Sequence, residues 1–141
     1  MDMAIYWEEK LSTGVPAIDE QHKDIFANFE ELSKAIEAGR CNDEVEKLLN
    51  YLNEYANNHF SDEENLMSLY KYPNLEEQRQ QHVLFKKNIT ELLTMLANKV
   101  PTKEIAIKID STLIRYFINH VRKLDFKLCD FIKDSMKQKE L

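Results

Sequence analysis

The sequence is poor in the two residues that most often interrupt helices, because its 141 residues include only two glycines and three prolines. A sheet of several short strands needs frequent turns, and glycine and proline are the usual turn residues. Their scarcity therefore argues against a many-stranded sheet. The abundance of leucine, glutamate, lysine and isoleucine instead favours long helices, in a chain of the length of one domain.

Other features are missing as well. No apolar run is long enough to cross a bilayer, the N-terminus lacks a signal-peptide pattern, and the two cysteines, Cys41 and Cys129, form no CxxC motif. These absences predict a cytoplasmic protein with no membrane partner and no disulfide framework. The net charge of −6 argues against a nucleic-acid partner. The sequence is compatible with a monomer.

The apolar pattern predicts four helices after an N-terminal arm. We expect the arm, residues 1–17, to be ordered but not helical. Apolar residues then recur every three or four positions, which predicts helices over about residues 19–38, 43–69, 74–98 and 102–136. The inward stripe of the second helix includes Leu48, Leu52, Tyr55, His59 and Glu63. Because the links are short, we predict a single all-α domain over residues 1–141, an up-down-up-down antiparallel four-helix bundle.

Each predicted helix carries one histidine on its inward stripe, and these are His22, His59, His82 and His120. Glu63 follows the second of them by four residues, and Asp125 follows the last by five. A lone histidine on an apolar face is usually a satisfied core residue. Four of them with two carboxylates are different, because a buried unpaired carboxylate costs on the order of several kcal/mol. A metal removes that cost, and this donor set suits iron, zinc or manganese.

The motifs resemble those of the hemerythrin family, in its bacterial single-domain form, over nearly the whole chain. The residues that carry the resemblance are Trp7, the run Gly14-Val15-Pro16-Ala17-Ile18-Asp19-Glu20-Gln21-His22, the run His59-Phe60-Ser61-Asp62-Glu63-Glu64, Met67, His82, Phe85, His120 and Asp125. Several motifs in the right order make a strong signal, although any one alone would be weak.

The resemblance implies a centre of two iron ions joined by a bridging oxo or hydroxo group and by the carboxylates of Glu63 and Asp125. His22 and His59 would hold the iron that keeps an open position for dioxygen, and His82 and His120 would hold the other iron. The protein would then bind dioxygen, or another small diatomic ligand, reversibly as a carrier, store or sensor and not as an enzyme. Three neighbouring apolar residues, Phe60, Phe117 and Val121, would form a dry dioxygen pocket or, equally, ordinary core.

One position departs from the family pattern, since Gln78 stands where the family has a histidine four residues before His82. The second iron would then lose one imidazole. Gln78 could be a weak metal ligand, could hold a water by hydrogen bonding, or could be a satisfied core amide. The departure keeps two alternative functions open. One is a di-iron enzyme that reduces peroxide or nitric oxide, and the other is a metal-sequestering bundle with a one-metal site.

Overall fold

The computed structural model describes residues 7–40 and 42–140, with side chains described as far as Lys137. This part of the chain contains helices and loops and no strand. The first three helices are α1 (Pro16–Glu37), α2 (Asn42–Leu69) and α3 (Leu75–Ala97). The fourth, α4, runs from Thr102 to Glu140 as five consecutive helical segments: α Thr102–Ile109, π Asp110–Ile114, α Arg115–Asn119, π His120–Asp125 and α Phe126–Glu140.

The helices pack as the predicted all-α four-helix bundle, with α2 against both α1 and α3, and α4 against α1 and α3. Links of four or five residues force consecutive helices to run antiparallel. The second residue of each of the three links has a positive φ: Gly39 (66°), Lys71 (55°) and Lys99 (59°). The residue after it donates a backbone hydrogen bond five residues back, which is the usual way to close a helix end.

The helix ends differ from the predicted ones by a few residues. The first helix begins at Pro16, not near residue 19, because proline suits the first helical position and already has a helical φ. The arm is therefore shorter than residues 1–17, and it includes a 3-10 turn at Glu9–Leu11. Residues 1–6 of the predicted arm, and also Cys41, lie outside the described residues. The fourth helix continues past residue 136 to residue 140.

A single carboxylate fastens the arm to the bundle. Asp19 in the first turn of α1 accepts hydrogen bonds from Ser12 Oγ at 2.9 Å, from Thr13 N at 2.8 Å and from Thr13 Oγ1 at 2.7 Å. Burial acts to raise the pKa of Asp19, but the hydrogen bonds from Thr13 and Ser12 outweigh it, so its pKa lies below the ordinary value. These hydrogen bonds hold the end of the arm against the first turn of α1.

The core lies along the inward stripes, with two corrections in α2. Tyr55 is 44% exposed and not buried, whereas its neighbour Ala56 is fully buried. Leu48 is likewise only partly buried, and Leu49 takes the inward position. The histidines lie in line with large apolar side chains such as Phe29, Phe85 and Phe117. Within residues 7–40 and 42–140, no helix has the length and apolar character needed to cross a membrane.

Candidate metal centre

The structure brings the six predicted metal-binding residues together in the middle of the bundle. They form two overlapping groups: His22, His59, Glu63 and Asp125 in one, and Glu63, His82 and His120 in the other. Within each group, one nitrogen or carboxylate oxygen per residue lies within 4.8 Å of the others. All six are at most 4% exposed. We refer below to the His22–His59 pair and the His82–His120 pair, with the two carboxylates between them.

Asp125 reaches the site through a local change of helix type. In an α-helix, residues five apart point about 140 degrees away from each other. The segment His120–Asp125 is instead π-helical, a form in which residues five apart lie above one another. Asp125 Oδ1 therefore lies 3.0 Å from His120 Nε2, while Oδ2 lies 2.8 Å from His22 Nε2. The same Oδ2 lies 3.4 Å from His59 Nε2, so this carboxylate faces both histidine pairs.

Glu63 is the second carboxylate between the pairs. It follows His59 by one turn of α2, and Glu63 Oε1 is in direct contact with His59 Nε2. The same oxygen lies 3.6 Å from His120 Nε2, on the opposite helix. Glu63 and Asp125 thus occupy the positions in which a carboxylate could bridge two metal ions. Among the described residues, neither has a lysine or arginine within ion-pair distance.

The buried polar atoms of this centre fit a cation. In the described part of the chain, many of them lack a hydrogen-bond partner, namely His22 Nδ1, His59 Nε2, both Glu63 oxygens, Gln78 Oε1 and both ring nitrogens of His82 and His120. Leaving one buried polar group unsatisfied costs about 1–3 kcal/mol. So many in one place would be hard to retain with protein contacts alone. Imidazole nitrogens and carboxylate oxygens around one point are the donors that a divalent or trivalent metal accepts.

The charges of the protein groups at this centre also favour the binding of a cation. Burial alone lowers the pKa of His59, but the negative charges of Glu63 and Asp125 outweigh it and raise the pKa to about 9. The same competition, led by Asp125, raises the pKa of His120 to about 10. Burial acts to raise the pKa of Asp125, yet His120 and hydrogen bonds hold it well below its ordinary value. Asp125 therefore remains ionised and attracts positive charge to the centre.

His82 lies in a different environment from the other three histidines. Burial, assisted by the neighbouring charge of His120, lowers its pKa to about 3. Its ring stacks on Phe60 with centroids 3.9 Å apart and planes 12° from parallel. His82 is thus a neutral imidazole at neutral pH, which is the form that binds metals.

Gln78 is fully buried and adjoins the centre. Its Nε2 donates to Asp125 Oδ1 at 3.5 Å, whereas its Oε1 has no hydrogen-bond partner among the described residues. The protein alone therefore does not satisfy this amide. Its oxygen remains free for a metal or a water at the position where the family pattern has an imidazole.

Two residues around the histidines were not assigned a role from the sequence. Gln21 Oε1 lies 2.8 Å from His59 Nδ1. It accepts a hydrogen bond from Nδ1–H when Nε2 of the same ring faces the centre. Gln21 directly precedes His22 in a quoted motif, which was the available signal. The side chain of Glu64 is only 24% exposed. It accepts from Arg79 Nε at 3.1 Å and reaches to 3.8 Å from His82 Nδ1.

The three residues of the predicted dioxygen pocket are all buried: Phe60, Phe117 and Val121. Phe117 lies edge-on to the His22–His59 pair, with ring centroids 5.7 Å from His22 and 6.1 Å from His59. The ring of Phe60 stacks on His82, and its centroid lies 5.6 Å from that of His59 and 5.7 Å from that of His120. Their function as a ligand pocket stays a prediction.

Comparison with known proteins gives a consistent match. Residues 13–132 match the family described as the Hemerythrin HHE cation binding domain. The chain is 26% identical over 134 residues to a bacteriohemerythrin of Pseudomonas aeruginosa (strain UCBPP-PA14), covering 95% of this chain and 85% of that protein. It is 28% identical over 121 residues to a myohemerythrin of Theromyzon tessulatum, covering 86% of this chain and 88% of that protein. A bacteriohemerythrin of Stenotrophomonas maltophilia is 27% identical over 135 residues, covering 95% and 85%.

Proposed function

Because the chain belongs to the hemerythrin HHE cation-binding family, we propose that it is a non-haem di-iron protein that binds dioxygen reversibly. The observation that carries this proposal is the sharing of two carboxylates by two histidine pairs. Glu63 belongs to both groups of donor atoms, and Asp125 directs one oxygen to each pair. A centre for a single ion would need neither arrangement, and bundle cores are well suited to two-metal sites.

In this proposal, His22 and His59 hold one iron, His82 and His120 hold the other, and Glu63 and Asp125 bridge them. When bound, iron supplies the redox change and the open coordination position that dioxygen needs. Gln21 fixes the ring of His59 so that Nε2 faces inward. The phenyl rings of Phe60 and Phe117 keep the surroundings apolar and restrict the entry of water.

Gln78 supports a second candidate function, an enzyme that reduces peroxide or nitric oxide. Reversible carriage is favoured when one iron is fully coordinated and the other is open. Gln78 Oε1 has no hydrogen-bond partner among the described residues, and as a replacement for an imidazole it would be a weaker donor to a second iron. Two open irons would favour redox turnover. We place carriage first because the six other donors are all present at the centre.

The deciding experiment is metal analysis of protein purified without a chelating tag, together with its visible spectrum as air is admitted and removed. We expect about two irons per chain and a spectral change that reverses when oxygen is withdrawn. About one metal per chain would instead support the one-metal sequestering bundle. Two irons with steady consumption of peroxide or nitric oxide, in the presence of an electron donor, would support the enzyme.

A further inference from the structure

A cleft lies on the surface directly outside the His82–His120 pair. It has a volume of about 730 Å³ and runs between α3 and α4, with His120 as part of its wall. Tyr116 on α4 donates its hydroxyl to the backbone oxygen of Gln81 on α3 at 2.9 Å, which ties the two walls together. Burial raises the pKa of Tyr116 to about 12, so the hydroxyl stays a neutral donor.

The charged residues of the cleft favour an anion. Three positive side chains, Arg122, Lys123 and Lys127, contribute to the lining, and none has an ion-pair partner among the described residues. Of the two negative ones, Asp130 is already paired with Lys133 at 3.4 Å, which leaves the other, Glu77. The cleft is therefore positive on a chain whose net charge is −6. Free positive side chains of this kind attract and hold oxyanions.

His120 adds a donor that has no acceptor. Its Nε2 faces Asp125 at 3.0 Å, so Nδ1 is the outer nitrogen of the ring. Nδ1 is buried and has no hydrogen-bond partner in the described part of the chain, although the residue lines the cleft and is 4% exposed. A metal-binding histidine nearly always donates its other N–H to an acceptor. His59 follows that rule through Gln21, whereas His22, His82 and His120 do not, and His120 is the one of these three that lines the cleft.

We propose that the cleft binds a small oxyanion, and that a slight shift of the side chains covering His120 Nδ1 lets an oxygen of this anion accept the hydrogen bond from Nδ1–H. The lysines and the arginine hold the remaining oxygens. The anion then has the role toward His120 that Gln21 has toward His59. It accepts the hydrogen bond of the outer ring nitrogen and thereby fixes the orientation of the ring. Inorganic phosphate and a short carboxylate share this chemistry. The inference rests on the proposed function only for the statement that Nε2 of His120 binds a metal.

The test is calorimetric titration of the purified holoprotein with inorganic phosphate and, separately, with succinate, at constant ionic strength in sodium chloride. We expect a one-site isotherm for at least one of them, and the tighter ligand identifies the source of the oxyanion. The double substitution Lys123→Gln with Lys127→Gln should weaken binding by about tenfold or more, since two charge-assisted contacts are lost. The matched control is Lys87→Gln with Lys108→Gln, which removes two exposed lysines that lie outside the cleft lining and should bind as the unchanged protein does.

A second measurement tests the hydrogen bond itself. In protein loaded with diamagnetic zinc, saturation with the tighter ligand should shift the Nδ1–H resonance of His120 and leave that of His59 in place. The proposal is wrong if neither anion gives a one-site isotherm, if the two double variants weaken binding equally, or if the His120 resonance does not move. The iron content of the same samples tests the proposed function separately. Saturable anion binding by a protein that contains no iron would support the anion site in the cleft and would contradict the di-iron centre.

Discussion

The two histidine pairs of the centre are built from the same parts but differ in how they are supported. Each pair contributes two buried imidazoles, and both pairs face the same two carboxylates. In the His22–His59 pair, both rings are completely buried, and His59 is held from outside by Gln21 at 2.8 Å. In the His82–His120 pair, no ring nitrogen has a hydrogen-bond partner among the described residues, and one ring lines an open cleft.

The difference shows how one scaffold can make unequal metal sites. The two carboxylates lie between the pairs and are shared by them, so their presence alone does not explain the difference in support. Ring orientation and the number of donors instead depend on local neighbours, such as Gln21 on one side and Gln78 on the other. We therefore expect the His22–His59 pair to bind its metal more tightly. The four predictions below test this inequality.

The largest expected effect comes from removing the feature that the pairs share. Asp125→Asn keeps the size of the side chain but removes the charge that reaches His22 at 2.8 Å and His120 at 3.0 Å. We expect iron content to fall by about tenfold or more at both positions, since an amide is a poor bridging ligand. Metal analysis with circular dichroism as a folding check would measure this. Asp130→Asn, an exposed residue on the same helix, is the matched control. Retention of one full iron would show that the carboxylate serves only one pair.

The next prediction concerns the His22–His59 pair alone. Gln21→Ala removes the acceptor of His59 Nδ1, and loss of such outer partners typically weakens metal binding by about 10- to 100-fold. Gln21→Glu restores an oxygen acceptor and should recover most of the affinity. Competition with a chelator of known affinity would measure both variants. If Gln21→Ala released metal from both pairs equally, the support would not be specific to one side.

A third substitution should make the two pairs more alike by strengthening metal binding at the His82–His120 pair. Gln78→His supplies the missing imidazole to the His82–His120 pair, and we expect autoxidation in air to slow by severalfold, to about tenfold, as the second iron gains a donor. Gln80→His is the matched control, because it adds a histidine to an exposed position of the same helix. The decay of the oxygenated spectrum would give the rate. An unchanged or faster rate for Gln78→His would mean that the second position is not open.

Much of this arrangement was predictable from periodicity. Spacing of three and four placed His22, His59, His82 and His120 on inward stripes, and the structure has all four buried in the core. The failure at Tyr55 has a simple cause. A strict seven-residue pattern drifts by about 20 degrees per heptad relative to a straight helix, so the predicted stripe moves away from the true inward face. The pattern also favoured the large Tyr55 over the small Ala56 beside it. Small residues give a weak signal in an apolar pattern, although they fit an inward position well.

The π-helical turn at His120–Asp125 lay beyond what the sequence could predict. The five-residue spacing indicated that the two side chains were related, but local propensity does not distinguish a π-turn from an α-helix. The contact of Gln21 with His59 was also missed, since it joins residues 38 positions apart on different helices. Both features depend on tertiary packing around the carboxylates, which a helix pattern does not contain.

The smallest expected effect concerns the N-terminal arm. Asp19, the residue that holds the arm, lies three positions before His22 in the sequence. Asp19→Asn removes a charge that accepts three hydrogen bonds, and we expect the protein to lose about 1–2 kcal/mol of unfolding free energy at pH 7. Because the pKa of Asp19 is lowered in the folded protein, its contribution is complete above the ordinary value of 3.8 and disappears as the pH falls through the folded pKa. Urea unfolding at a series of pH values should therefore show the gap between the two proteins closing only in acid. Asp24→Asn, at an exposed position of the same helix, should leave stability unchanged at every pH. A gap that persists undiminished in acid would mean that the charge of Asp19 does not hold the arm.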